Sequence, residues 1–227
     1  MEKYISKKEK ASYGFAAVGS YMVAGITQSY LMYFFTDILI IPSAFVMMLM
    51  IVARVWDALN DPMMGVIVDR TSTKYGKMRP YVLVGSFLML FTTIVLFMPL
   101  TGAPTMFKMI FAAVSYIIFG MAYTLTGVPA MGLMSVATPN SDERASLLSF
   151  YVTVGSVGSL LPVGLLTIFQ SFIPEKYVYF AMSIFVGIIT SAAYLTLFKN
   201  SKERFSTHTE KIAVRDMIKA AGKNKPM

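Results

Sequence analysis

Ser43 to Ile67 reads SAFVMMLMIVARVWDALNDPMMGVI, a stretch long enough to cross a bilayer that nonetheless carries Arg54, Asp57, Asn60 and Asp61. A charge at the centre of a membrane helix costs about 2.5–3.5 kcal/mol on insertion scales, so carboxylates in this position point to function. On a helix, Asp57 and Asp61 lie four residues apart and Asn60 lies three from Asp57, which brings three oxygen-bearing side chains to one face. Hard cations take oxygen ligands, and paired carboxylates supply charge at a depth where water cannot. The pattern suits a small cation. Arg54 falls on the same face and can pair with a carboxylate when the cation is absent; a permanent Arg–Asp ion pair between helices is the structural alternative.

The rest of the chain supports a membrane setting. Of its 227 residues 56% are hydrophobic, and charge-free runs extend over Ala11–Thr36, Ile38–Ala53, Pro80–Phe107, Met109–Ser141, Ala145–Pro174 and Tyr177–Phe198. A bilayer core takes about 20 residues of helix. The expectation is an all-α integral membrane protein whose residues 1–198 form a six-helix transmembrane bundle, with spans near 12–36, 43–67, 80–100, 107–134, 145–171 and 177–198. The first run has no small-residue cleavage site and the second follows after a short turn, so it reads as a span and not as a cleaved signal peptide. The chain has no cysteine, which excludes disulfides and thiolate metal sites, and its 19 methionines read as packing.

A net charge of +8 could suggest nucleic acid. The positions of the charges argue otherwise. All of the 20 lysines and arginines except Arg54, Lys108 and Lys176 precede span one, or follow spans two, four and six. That asymmetry is the positive-inside pattern of a multi-pass protein of the plasma membrane, with both termini cytoplasmic, and an even number of spans agrees with it.

Connections on the opposite side are short, around residues 37–42, 99–105 and 173–176, which predicts antiparallel packing of consecutive helices. Gly155, Ser156, Gly158, Ser159 and Gly164 surround Pro162 in span five, and Gly127 lies near Pro129 in span four; small residues there permit close helix approach. Residues 199–227 read as a basic cytoplasmic tail. Ile212–Ala221 within it has helical character and could lie on an anionic leaflet or form a nascent helix in a solvated linker. His208, the only histidine, has no catalytic partner in sight.

The most specific string is Ala53-Arg54-Val55-Trp56-Asp57-Ala58-Leu59-Asn60-Asp61-Pro62-Met63-Met64-Gly65, running into Val66–Arg70 and then Lys74-Tyr75-Gly76-Lys77-Met78-Arg79-Pro80. Its first part resembles the second helix of the glycoside–pentoside–hexuronide:cation symporters, the family of the melibiose carrier. Its second part resembles the helix 2–3 loop signature of the major facilitator superfamily. Ser12-Tyr13-Gly14-Phe15, Tyr30–Tyr33 with Thr36-Asp37, and Gly120-Met121-Ala122-Tyr123-Thr124 agree, so the resemblance covers most of residues 10–200.

The resemblance implies a transporter with no enzymatic role and no cofactor. It implies a site for Na⁺, Li⁺ or H⁺ at Asp57, Asn60, Asp61 and Thr124, and a gating loop that includes Gly65, Asp69, Arg70, Gly76, Lys77 and Arg79. Physically, Gly65 would allow close helix contact, Asp69 would accept hydrogen bonds at a helix end, and the basic residues would latch cytoplasmic surfaces or lipid headgroups. The positions at which the melibiose branch binds its galactosyl unit hold Tyr21, Gly127, Met131 and Val152 here, none able to form the charged hydrogen bonds used there. Tyr21, Gln28 and Tyr123 could still line a sugar cavity.

Family members carry two six-helix bundles, and this sequence supplies one: the amino-terminal half of a major facilitator fold. Asn224-Lys225-Pro226 resembles the approach to helix seven. The expected function is cation-coupled symport of a sugar or glycoside by alternating access, together with a carboxy-terminal half or by self-association. Alternatives are a non-transporting membrane subunit, an inactive truncated product, and an intramembrane enzyme using Asp57 and Asp61 as acid and base. Two aspartates on adjacent turns of one helix are poorly placed for that last role.

Overall fold

The computed structural model describes residues 4–205; Ile212–Ala221, His208 and Asn224–Pro226 lie outside them. Six long helices follow one another: α1 (Lys7–Tyr33), α2 (Ser43–Arg70), α3 (Arg79–Leu96), α4 (Thr105–Ala137), α5 (Ser141–Gln170) and α6 (Glu175–Asn200). Local chemistry sets their starts. Ser6 Oγ accepts from Glu9 N–H ahead of α1, and Asn140 accepts from Asp142 and Glu143 N–H ahead of α5. Pro42, Pro104 and Pro174 stand immediately before α2, α4 and α6, where a residue of fixed φ and no N–H costs nothing.

Five of these helices, α2 to α6, are long and apolar enough to cross a membrane. The exception is α1, which carries Lys7, Lys8, Lys10, Ser12, Ser20, Thr27 and Gln28. Its polar side chains are accommodated because it packs along both α5 and α6. Tyr13, Ala16, Ala17, Val23 and Ile26 are fully buried there.

Packing follows small residues more than chain order. Among the described residues, α1 packs chiefly on α5 and α6, α3 on α4 and α6, and α2 on α4. Consecutive helices were expected to be neighbours, and α2 does not follow that rule with either α1 or α3. The reason is visible at the glycines. A Cβ on Gly19 would stand 2.9 Å from Thr190 Cα, one on Gly25 2.5 Å from Ser159 O, and one on Gly158 2.7 Å from Val18 O. These backbone approaches give α1 more contact with α5 and α6 than a short turn to α2 provides.

Between α1 and α2 the chain passes through a π-helical turn, Phe34–Ile38, and Ile40 then takes φ 56°. Lys108, buried near the start of α4, donates to Leu39 O at 2.9 Å and holds that turn in place. Phe34 and Phe97, with ring centroids 5.2 Å apart, anchor the core at this end. A second core at the basic end gathers Tyr13, Leu133, Tyr151, Tyr194 and Leu197.

Candidate cation and solute site

Helix α2 buries Val46, Leu49, Ala53, Asn60, Met64 and Val68, a stripe at helical spacing that faces α4. Asp57 and Asp61 lie beside that stripe and border a cavity of about 650 Å³. Its walls come from α1 (Ala24, Thr27, Gln28), α2 (Arg54, Trp56, Asp57, Asp61) and α4 (Tyr116, Gly120, Tyr123, Thr124).

One hydrogen bond joins two of these walls: Thr124 Oγ1 donates to Asp61 Oδ1 at 2.8 Å. One turn away along α4, Gly120 lets the other carboxylate come close, since a Cβ there would stand 3.2 Å from Asp57 Oδ1. Both aspartates therefore reach the α4 wall. Arg54 lines the same cavity, and the one ion pair within 4 Å among the described residues joins Arg204 to Glu9 instead. Among the described residues no three His, Cys, Asp or Glu side chains gather as metal ligands, so a cation here would rely on two carboxylates and neutral oxygens.

Asn60 sits differently from its acidic neighbours. It belongs to the buried stripe, lies outside the cavity lining, and its Nδ2 has no hydrogen-bond partner. Gln28 and Tyr123 line the cavity, whereas Tyr21, Gly127, Met131 and Val152 do not. Tyr21 packs over Gly155, whose Cβ position lies 2.8 Å from its ring, and meets Tyr151 edge-on. Met131 and Val152 are exposed, and nothing lies within 4 Å of a Cβ on Gly127. The sequence reading passed over Thr27, Tyr116 and the spacing role of Gly120. Gly120 and Thr124 are one helical turn apart, the signal that could have paired Gly120 with an aspartate.

The loop between α2 and α3 is tightly held at one end. Gly76 takes φ +106°, and the backbone N–H groups of Lys77, Met78 and Arg79 all point at the Glu203 carboxylate. Gly65 departs from its expected role: no neighbour lies within 4 Å of where its Cβ would be. It flanks the α4-facing stripe, so it borders open space. Asp69 and Arg70 are exposed at the end of α2.

A family profile described as MFS/sugar transport protein matches residues 12–227. The chain is 32% identical over its whole length to the uncharacterized symporter YjmB of Bacillus subtilis, covering 50% of that protein. It is 30% identical over 97% of its length to the inner membrane symporter YicJ of Escherichia coli, covering 48% of it. With the isoprimeverose transporter of Lactiplantibacillus pentosus it shares 29% identity over 96% of its length and 47% of the relative's. The chain thus spans about half the length of the curated relatives it matches. The family consists of transporters and not of enzymes, and five strongly apolar helices agree with a multi-pass membrane protein. By the extent of the profile match and by identity along its whole length, the chain belongs to the MFS/sugar transport protein family.

Proposed function

We propose that this chain is the amino-terminal bundle of a symporter that moves a sugar or glycoside together with Na⁺, Li⁺ or H⁺, working with a second six-helix bundle. The observation that carries the reading is the Thr124–Asp61 hydrogen bond, set beside Asp57 on the wall of one cavity. Thr124 satisfies one oxygen of Asp61 and leaves the remaining carboxylate oxygens of Asp57 and Asp61 for a cation. Such a cation would draw α2 and α4 together. Arg54, which lines the same cavity, is the counter-charge in its absence.

Gln28, Tyr116 and Tyr123 share the cavity with the carboxylates, so ion and solute would occupy adjoining parts of one space. Tyrosine rings offer a stacking face and a hydroxyl, which suits a sugar. The names of the relatives support this solute class and coupled transport. The basic end of the bundle, with Lys77, Arg79, Arg144 and Lys199, is the cytoplasmic face of the plasma membrane on the positive-inside rule. There the loop containing Gly65, Asp69, Arg70, Gly76, Lys77 and Arg79 would control access, in contact with lipid headgroups.

The test is uptake of a panel of labelled glycosides in cells co-expressing this chain with the carboxy-terminal half of a relative. Uptake should depend on the added cation and vanish with Asp57→Cys or Asp61→Cys. Uptake indifferent to both substitutions overturns the assignment.

A further inference from the structure

Five residues past α6 close the basic end of the bundle. Glu203 accepts backbone hydrogen bonds from Lys77 at 2.8 Å, Met78 at 2.9 Å and Arg79 at 3.0 Å. Those donors include the spare N–H groups ahead of and at the first residue of α3, the positive end of its dipole, where a carboxylate is held best. Gly76 completes the seat, because its φ of +106° disfavours any side chain and a Cβ there would run into the Glu203 carboxylate. Arg79 braces it from the side: Nη2 donates to Phe198 O at 2.7 Å and the guanidinium lies 4.8 Å over the Phe198 ring.

The next residue reaches the other way. Arg204 grips Glu9 through Nη1 at 2.9 Å and Nη2 at 2.7 Å, and its backbone N–H and that of Phe205 both donate to Val136 O. Residues 203–205 thus bind α1, the start of α3 and the end of α4 from one short segment.

We infer that Glu203 is a positioning residue: a tethered carboxylate that latches the loop ahead of α3 from within the same bundle, so that the segment after α6 sets that loop's conformation. Together with Arg204 it makes the basic ends of α1, α3, α4 and α6 a single piece. The loop then needs no partner bundle to be held, and freeing it requires the loss of three charge-assisted hydrogen bonds at once. The latch is a property of this bundle and does not depend on the solute or the cation.

Because the chain has no cysteine, one introduced thiol reports one position. In detergent-solubilised chain, a maleimide should label Met78→Cys, half-buried beside the seat, several-fold faster when Glu203→Gln is added. Gly76→Ala should do the same with Glu203 intact, while Lys176→Cys at the far end should react at an unchanged rate in both backgrounds. An unchanged Met78→Cys rate in both backgrounds overturns the latch. If labelling rises at both ends, the variant has unfolded, and hydrogen exchange on the unaltered chain decides instead: the amides of residues 77–79 should exchange much more slowly than that of Lys74. Equal exchange overturns the proposal.

Discussion

Asp57 Oδ1 stands 3.2 Å from the point where Gly120 would carry a Cβ. At that distance a methyl group must displace the carboxylate by a few tenths of an ångström, away from the α4 wall and from Thr124. On the proposed cation site, Gly120→Ala should therefore weaken binding of the ion about tenfold, or ~1.4 kcal/mol, with little loss of stability because alanine favours helix. The measurement is the rise in unfolding temperature of the purified chain with added Na⁺ or Li⁺, titrated for both forms. An unaltered titration would remove Gly120 from the site.

Thr124 is buried and its hydroxyl spans from α4 to Asp61. Thr124→Val keeps the shape and deletes the donor, so the carboxylate loses one of its stabilising contacts; the cost expected is about 1.5–3 kcal/mol for a hydrogen bond to a charged group. Thr124→Ser should restore most of it. Chemical unfolding in detergent compares the three forms, and a loss for Ser as large as that for Val would mean the methyl group matters as much as the hydroxyl.

The glycines divide into two sets. Gly25→Ala and Gly158→Ala place a methyl against backbone of the facing helix, at 2.5 Å from Ser159 O and 2.7 Å from Val18 O, and neither backbone can step aside alone. Each should destabilise by about 1–3 kcal/mol through forced separation of α1 and α5. Gly65→Ala and Gly164→Ala meet nothing within 4 Å and should be neutral or slightly stabilising. Unfolding midpoints of the four variants test the division.

That division shows where sequence reading ran out. The helices themselves were legible, since charge-free runs of about bilayer length mark membrane helices. Asp57 and Asp61 were legible by chemical type, because a carboxylate inside an apolar run needs a reason, whereas Thr124 was reached only through the family resemblance. Which neighbour each helix takes was not: Gly158 and Gly164 look alike along α5, and only the approach of Val18 separates them. Asn60 illustrates the same limit. It recurs at the spacing of Ala53, Met64 and Val68, a packing stripe, as well as at the spacing of the aspartates. Glu203 reads as one more charge in a tail, and its role comes from a seat built by residues more than a hundred positions earlier.

Lys108 is the buried cation at the end of the bundle opposite the basic one. Its Nζ donates to Leu39 O beside Ile40, whose positive φ is costly for a β-branched residue. Lys108→Met should leave that carbonyl without its partner and cost about 1–3 kcal/mol. Loosening should be local, with faster hydrogen exchange at residues 38–42 than in the unaltered chain and no change at residues 77–79. Uniform acceleration would instead mean that Lys108 supports the whole bundle.

Glu9 is 1% exposed and Arg204 binds both of its oxygens, while Lys202 N–H donates to the same carboxylate at 3.3 Å. Removing the arginine alone strands a buried carboxylate. Arg204→Met should therefore cost about 3–5 kcal/mol, less whatever water recovers at the partly exposed guanidinium side. Glu9→Met with Arg204→Met removes both charges and puts apolar volume in their place, so the double variant should be more stable than Arg204→Met. A double-mutant cycle on unfolding free energies decides the point. A double variant as unstable as the sum of the two single ones would show that the two residues act independently and that the contact between α1 and the segment after α6 contributes no coupling.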